Sequence, residues 1–229
     1  MIRYLDSGHG GPDECLGLWL DVELTADIRS FRGQFGFYDG AAIRKYTPNL
    51  AAMLARGGTL RLVIGANGGD PPTTDDLTAL LPLLANGDRA RLTVVAYGNA
   101  LFHPKTLHLV RANGQAVAVV GSANLTAKGL GHNVEAGIVL ESSAQTDAAV
   151  QRIAQAIDRW GTCGDGGVHL VRTAADIEAL RTLGLVVTPG ARRRLRSRQQ
   201  AQAAPGGRGT RARGWQPPPG AAPPAPPHG

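Results

Sequence analysis

Two short apolar runs, Leu60–Ile64 (LRLVI) and Arg91–Tyr97 (RLTVVAY), constrain this chain more than any other feature. Their β-branched content and length read as buried strands. Between them lies a turn-rich loop, ANGGDPPTTD, and then a predicted helix over Asp76–Leu84 that Asp75 or Thr74 can cap. Strand, helix, strand at this spacing implies a parallel crossover with helices covering the sheet. Upstream, strands are predicted around Leu16–Leu24 and Gln34–Tyr38, with a helix over roughly Ala41–Arg56 that Gly57-Gly58 stops.

Downstream the strands come close together: Leu101–Arg111, Ala116–Gly121 and Asn133–Leu140. Asn113-Gly114 separates the first two and predicts a type I′ hairpin turn, which needs positive φ at both central positions. A helix over Asp147–Trp160, a strand over Val168–Val171 and a last helix follow, the last capped by Thr173 with Asp176 three residues on. The fold class expected is α/β, a mixed β-sheet flanked by helices in an α/β/α sandwich.

Charge divides the chain. From Pro189 to the end there are eight arginines and no acidic residue, so residues 1–188 carry a net −2 and the remainder +8. Eight of the 15 prolines also fall beyond residue 204. Such a segment cannot bury enough apolar surface to offset the entropy of ordering. A catalytic domain over 1–188 and a disordered Arg/Pro-rich tail over 189–229 are therefore expected, the arginine run being able to contact phosphates. No stretch approaches 18 consecutive apolar residues, and the amino terminus lacks a basic start with an apolar run, so neither a membrane helix nor a secretory signal is expected. Cys15 and Cys163 stand far apart with no metal-ligand spacing around them. A cytoplasmic location is the default.

Three segments carry chemistry: His103-Pro104-Lys105, Gly121-Ser122-Ala123-Asn124 and Asn133-Val134-Glu135. Each holds two polar residues at i and i+2, which share one face of a strand. The hairpin brings the first two segments onto neighbouring strands, and Glu135 on a third completes a polar cluster.

These residues resemble the phospholipase D superfamily, whose signature is HxK followed by GSxN, often with a downstream acidic residue. The resemblance spans about residues 34–160 and implies phosphodiester cleavage through a phosphohistidine, with no metal or other cofactor required. On that template His103 is nucleophile or acid, Lys105 and Asn124 bind phosphate, Ser122 supports the substrate pocket, and Glu135 orients the imidazole. One catalytic histidine cannot flank phosphorus on both sides. A single motif copy without internal repeat therefore implies a symmetric homodimer with the site on the two-fold axis. The longer family motif, HxKxxxxD, would place aspartate where this chain has Val110. In that respect it is similar to the single-motif restriction endonucleases of the superfamily, where the NxE glutamate takes the acidic role.

The expected activity is that of a metal-independent endonuclease on nucleic acid, DNA favoured over RNA, either non-specific or directed by a targeting partner protein. The mildly acidic body weighs against it, since a nucleic-acid groove normally clusters Lys and Arg. The alternatives are a phospholipid phosphodiesterase or transferase and a non-catalytic nucleic-acid-binding or assembly module. By parity His108 falls on the opposite strand face from His103 and reads as structural. Lys128 reads as a solvated loop cation, with contact to a phosphate the alternative, Thr126 as a turn or cap residue, and Trp160 as packing. His9, His132, His169 and His228 have no partner pattern.

Overall fold

The computed structural model describes residues 1–10, 14–25 and 27–203. Eight strands form one mixed sheet: β1 (Ile2–Asp6), β2 (Ile28–Phe35), β3 (Thr59–Gly65), β4 (Ala90–Val95), β5 (Lys105–Arg111), β6 (Ala116–Gly121), β7 (Ala136–Glu141) and β8 (Val168–Val171), in the order β1-β7-β6-β5-β2-β3-β4-β8. The trio β2, β3 and β4 is parallel, as the crossover pattern requires, and every other pair is antiparallel. Alternation along β3 shows why helices must lie on both faces. Leu60, Leu62 and Ile64 enter the main core, and Val63 enters a second one with Val95, Phe102 and Ile157.

Helix α1 (Leu16–Thr25) replaces the strand expected over Leu16–Leu24. Leu16, Leu20 and Leu24 are buried, whereas Leu18 and Val22 are exposed. The apolar residues fit both a period of two and a spacing of four, and only the fold chose the second. The expected helix over 41–56 is divided into α2 (Gly40–Arg44), capped by Asp39, and α3 (Thr47–Ala55), with Pro48 in its first turn. Proline lacks the N–H that a continuous helix would need there. Pro82 divides the next helix in the same way into α4 (Thr74–Thr78) and α5 (Leu81–Leu84), and the cap is Thr73, in a capping box with Asp76.

The hairpin between β5 and β6 differs from a type I′ turn. Gly114 has φ +88°, but Asn113 is not in the left-handed region, and Arg111 N donates to Gln115 O across a three-residue loop. This is the turn with a left-handed glycine at its end. Helix α6 (Ala127–Gly131) starts at the Thr126 cap, α7 (Asp147–Asp158) lies on the sheet face opposite the main core, and α8 (Ala174–Thr182) has the expected Thr173/Asp176 capping box.

Residues 189–203, expected to be disordered, form helix α9 (Pro189–Ala203). Ion pairing orders it: the Arg192 side chain is 7% exposed and bonds Asp70 and Asp76 at 2.8 Å, and Arg196 bonds Asp70 at 2.8 Å. Composition could not reveal that acidic partners more than 100 residues away would neutralise these arginines. The rest of the expected tail, 204–229, lies outside the described residues.

Candidate active site at one edge of the sheet

The end of β2, the start of β5, the end of β6 and the start of β7 lie at one edge, because Phe35 pairs with Lys105 and Gly121 with Gly137. All five predicted site residues sit there. The i, i+2 residues do not share a strand face, however, since only Lys105 is on a strand. His103 precedes β5, Ser122 and Asn124 follow β6, and Glu135 precedes β7. Pro104 starts this departure: it lacks an N–H for the ladder, and its carbonyl accepts from Gly36 N at 3.0 Å.

His103 is exposed, and the Lys105 ammonium lies 2.9 Å from its Nδ1, 3.0 Å from its Nε2 and 3.0 Å from its carbonyl oxygen. Partial burial, reinforced by that ammonium, holds the imidazole below its ordinary pKa, so it is neutral at pH 7. Burial also lowers Lys105, and the Glu135 carboxylate opposes the shift. The Phe37 ring meets the His103 ring edge-on, with centroids 5.5 Å apart. Phe37 N donates to Asn124 Oδ1 at 3.0 Å, which fixes the Asn124 side chain and leaves its amide nitrogen as a donor.

Glu135 is not in contact with His103 of its own chain. One carboxylate oxygen accepts from the Ser122 hydroxyl, and the other accepts from Asn133 Nδ2 at 3.0 Å. Ser122 Oγ also accepts from Ala136 N at 3.1 Å, so it holds the acidic segment in place. The floor beneath Lys105 and Glu135 is apolar, formed by Leu5, Leu16, Phe35, Leu107 and Val119. Such a floor strengthens charge interactions above it.

Position 110 lies five residues along β5 from Lys105, roughly 16 Å at the usual rise per residue. Its valine therefore removes no group from this edge. His108 is buried, as parity implied, and Lys128 is exposed beyond Asn124. Trp160 packs edge-on against Phe102 and donates to Gln34 Oε1 at 3.2 Å.

Several supporting residues escaped sequence reasoning. Buried Asn67 donates to Gly36 O at 2.7 Å and Phe102 O at 2.9 Å, tying the ends of β2 and β3 to the His103 segment. Gly36 has no room for a side chain, since a Cβ there would lie 2.7 Å from His103 Cδ2. Ser7 donates to Asn133 O at 3.1 Å and accepts from Glu135 N at 2.8 Å. The one signal available was the strong turn potential around Asn67 and Gly36, which does not distinguish a loop from a support.

The family described as cardiolipin synthase, PLD-like domain, matches residues 38–160, more than half of the chain. The chain belongs to this PLD-like family. It thus falls within the phospholipase D superfamily of phosphodiesterases. Solved structures share the PLD-like fold. A phospholipase D family member, Nuc, from Salmonella typhimurium is 17% identical, with a TM-score of 0.50 over 76% of this chain and 99% of that one. Phosphatidylserine synthase from Haemophilus influenzae Rd KW20 is 12% identical, with a TM-score of 0.55 over 88% of this chain and 46% of that one. The PLD-like chain thus spans about half the length of the synthase. No curated protein matches it in sequence. Among the described residues of the PLD-like protein, no helix is long and apolar enough to cross a membrane.

Proposed function

We propose that this PLD-like protein is an endonuclease that hydrolyses nucleic-acid phosphodiesters through a phosphohistidine on His103, in a site completed by a second copy of the chain. The observation that carries this reading is the pairing of a neutral, exposed imidazole with the Lys105 ammonium, beside the free amide of Asn124. Lys105 and Asn124 would hold the non-bridging oxygens. A neutral ring nitrogen of His103 attacks phosphorus, and the P–O bond to the leaving alkoxide breaks as the partner subunit's His103, held protonated in the assembled site by the facing Glu135 carboxylate, gives that oxygen its proton. Water then attacks the phosphohistidine, passing its proton to the same imidazole of the partner. The P–N bond breaks with its electron pair returning to His103.

Support for the dimer comes from chemistry and from surface. One HxK segment supplies one imidazole, and in-line displacement uses two. Tyr4, Ile138 and Val120 stand in register across β1, β7 and β6, exposed by 59%, 44% and 43%. This apolar row borders the Ser122 and Glu135 segments, so a second copy covering it would bring two sites together. Glu135, which bonds no imidazole among the described residues, is the residue we assign to orient the partner's His103.

Phospholipid turnover is the second reading, favoured by the description of the matching family and by the synthase fold. Incubation of wild type and His103→Ala with supercoiled plasmid, single-stranded DNA, RNA and phosphatidylglycerol vesicles in excess EDTA separates the two. We expect wild type alone to cut nucleic acid and, when quenched at alkaline pH where a P–N bond survives, to carry label from phosphate-labelled DNA. Turnover of lipid without cleavage of nucleic acid would replace the nuclease reading. Val120→Asp combined with Ile138→Asp should abolish dimer and activity together, measured by sedimentation and the same assay.

A further inference from the structure

Helix α9 sits against the same edge of the sheet as the site. Arg192 donates to the carbonyl of Tyr38 at 3.2 Å, next in sequence to the Phe37 that packs on His103. Gln199 donates to Gly69 O at 2.6 Å. At 3.6 residues per turn, Arg192, Arg196 and Gln199 fall on one stripe, the docked face. Arg194 and Arg198 fall on the opposite stripe, one turn apart, and Arg193 lies on the flank. All three are exposed and have no ion-pair partner among the described residues. Asp70 and Asp76 are occupied by Arg192 and Arg196. Burial would raise the Asp70 carboxyl, yet the two guanidiniums hold it below its ordinary value. The helix is thus pinned by two of its arginines while three point outward, uncompensated.

We propose that the outward face of α9, through Arg193, Arg194 and Arg198, binds the phosphate backbone of nucleic acid and leads it to the neighbouring site. This rests on the nuclease reading and names the surface that reading lacked, since residues 1–188 carry a net −2. The three guanidiniums offer charge and planar donors to phosphate oxygens without reading bases. An anionic membrane fits less well. A helix lying on lipid needs a bulky apolar face, and the one bulky apolar residue of α9, Leu195, is half-buried against the body.

The test uses the full chain carrying His103→Ala, so that the probe stays intact. Binding of a fluorescein-labelled 30-nucleotide single strand and its duplex is measured from 50 to 300 mM NaCl. Arg193→Gln, Arg194→Gln and Arg198→Gln together should weaken binding about tenfold or more and reduce the slope of log K against log salt by about two to three. Lysine at all three positions should restore most of that slope. A control triple at Arg29, Arg152 and Arg181, also to Gln, removes the same net charge elsewhere and should change the slope little.

Equal losses in both triples, or an unchanged slope in the α9 triple, would overturn the proposal. So would a parent that binds phosphatidylglycerol vesicles through these arginines and leaves nucleic acid alone. Cleavage by wild type is scored separately. Cleavage with an unaffected α9 triple sinks this inference alone, whereas an α9-dependent slope without cleavage sinks the nuclease reading alone.

Discussion

His103 and His108 stand five residues apart on one segment and have opposite chemistry. His103 precedes the start of β5, exposed, with the Lys105 ammonium against its ring. His108 is 5% exposed within the strand, on the α7 side, and its Nδ1 has no hydrogen-bond partner among the described residues. Burial lowers its pKa from 6.5 to about 4, and Arg32 adds to the effect. Both imidazoles are neutral at pH 7, but only one can be approached by a substrate. The residue type is shared, and its position relative to the strand end decides whether it is exposed or packed.

The contrast is broken most directly by removing each imidazole. His103→Ala should reduce cleavage by about a thousandfold or more while the melting temperature stays within a degree or two, measured by plasmid nicking and thermal unfolding. If His108→Leu causes the same loss with the fold intact, the roles assigned to the two rings are reversed.

A smaller effect is expected from Gly36→Ala, whose new methyl must displace the His103 ring. A misplaced nucleophile of this kind costs on the order of a hundredfold in kcat. Unchanged kcat would mean that His103 adjusts without loss and that its placement is not held by the β2 end.

The electrostatics sharpen the comparison further. Partial burial and Lys105 both lower the His103 pKa, so its neutral form persists to pH values below 6.5, and for the proposed attack by that form the acid limb of kcat/KM should lie there. Lys105→Met should move the His103 titration upward, followed by imidazole proton resonances. A downward move would show that the ammonium does not act on this ring.

For His108 the sign concerns stability. Between pH 6.5 and about 4 the unfolded chain holds a proton that the folded chain does not, so stability falls as pH drops through this window. At pH 4.5 that contribution is on the order of 2 kcal/mol. His108→Leu should shrink the difference in urea midpoint between pH 7 and pH 4.5 and leave the pH 7 midpoint nearly unchanged. An undiminished difference would assign the acid sensitivity to other groups.

Much of this was legible in the chain alone. The parallel crossover of β3 and β4, the strand β6, the α8 capping box and the HxK, GSxN and NxE segments follow from local periodicity and residue type. Short-range sterics and hydrogen bonds enforce these features whatever surrounds them. Helix α1 was not legible, because its leucines satisfy two periods and burial alone selects one. The division of α2 from α3 was written in Pro48, a signal weaker than the apolar spacing around it.

What the sequence by itself determined is the set of reactive groups and the strands that carry them to one edge. The tertiary structure alone decided which groups touch. It set Lys105 on His103, gave Glu135 to Ser122 and Asn133, drew Asn67 and Gly36 beneath His103, and ordered α9 through Asp70 and Asp76. The longest of those contacts join residues 126 positions apart. Local propensity falls silent at that range, since such contacts arise only when the packed sheet brings distant charges and amides together.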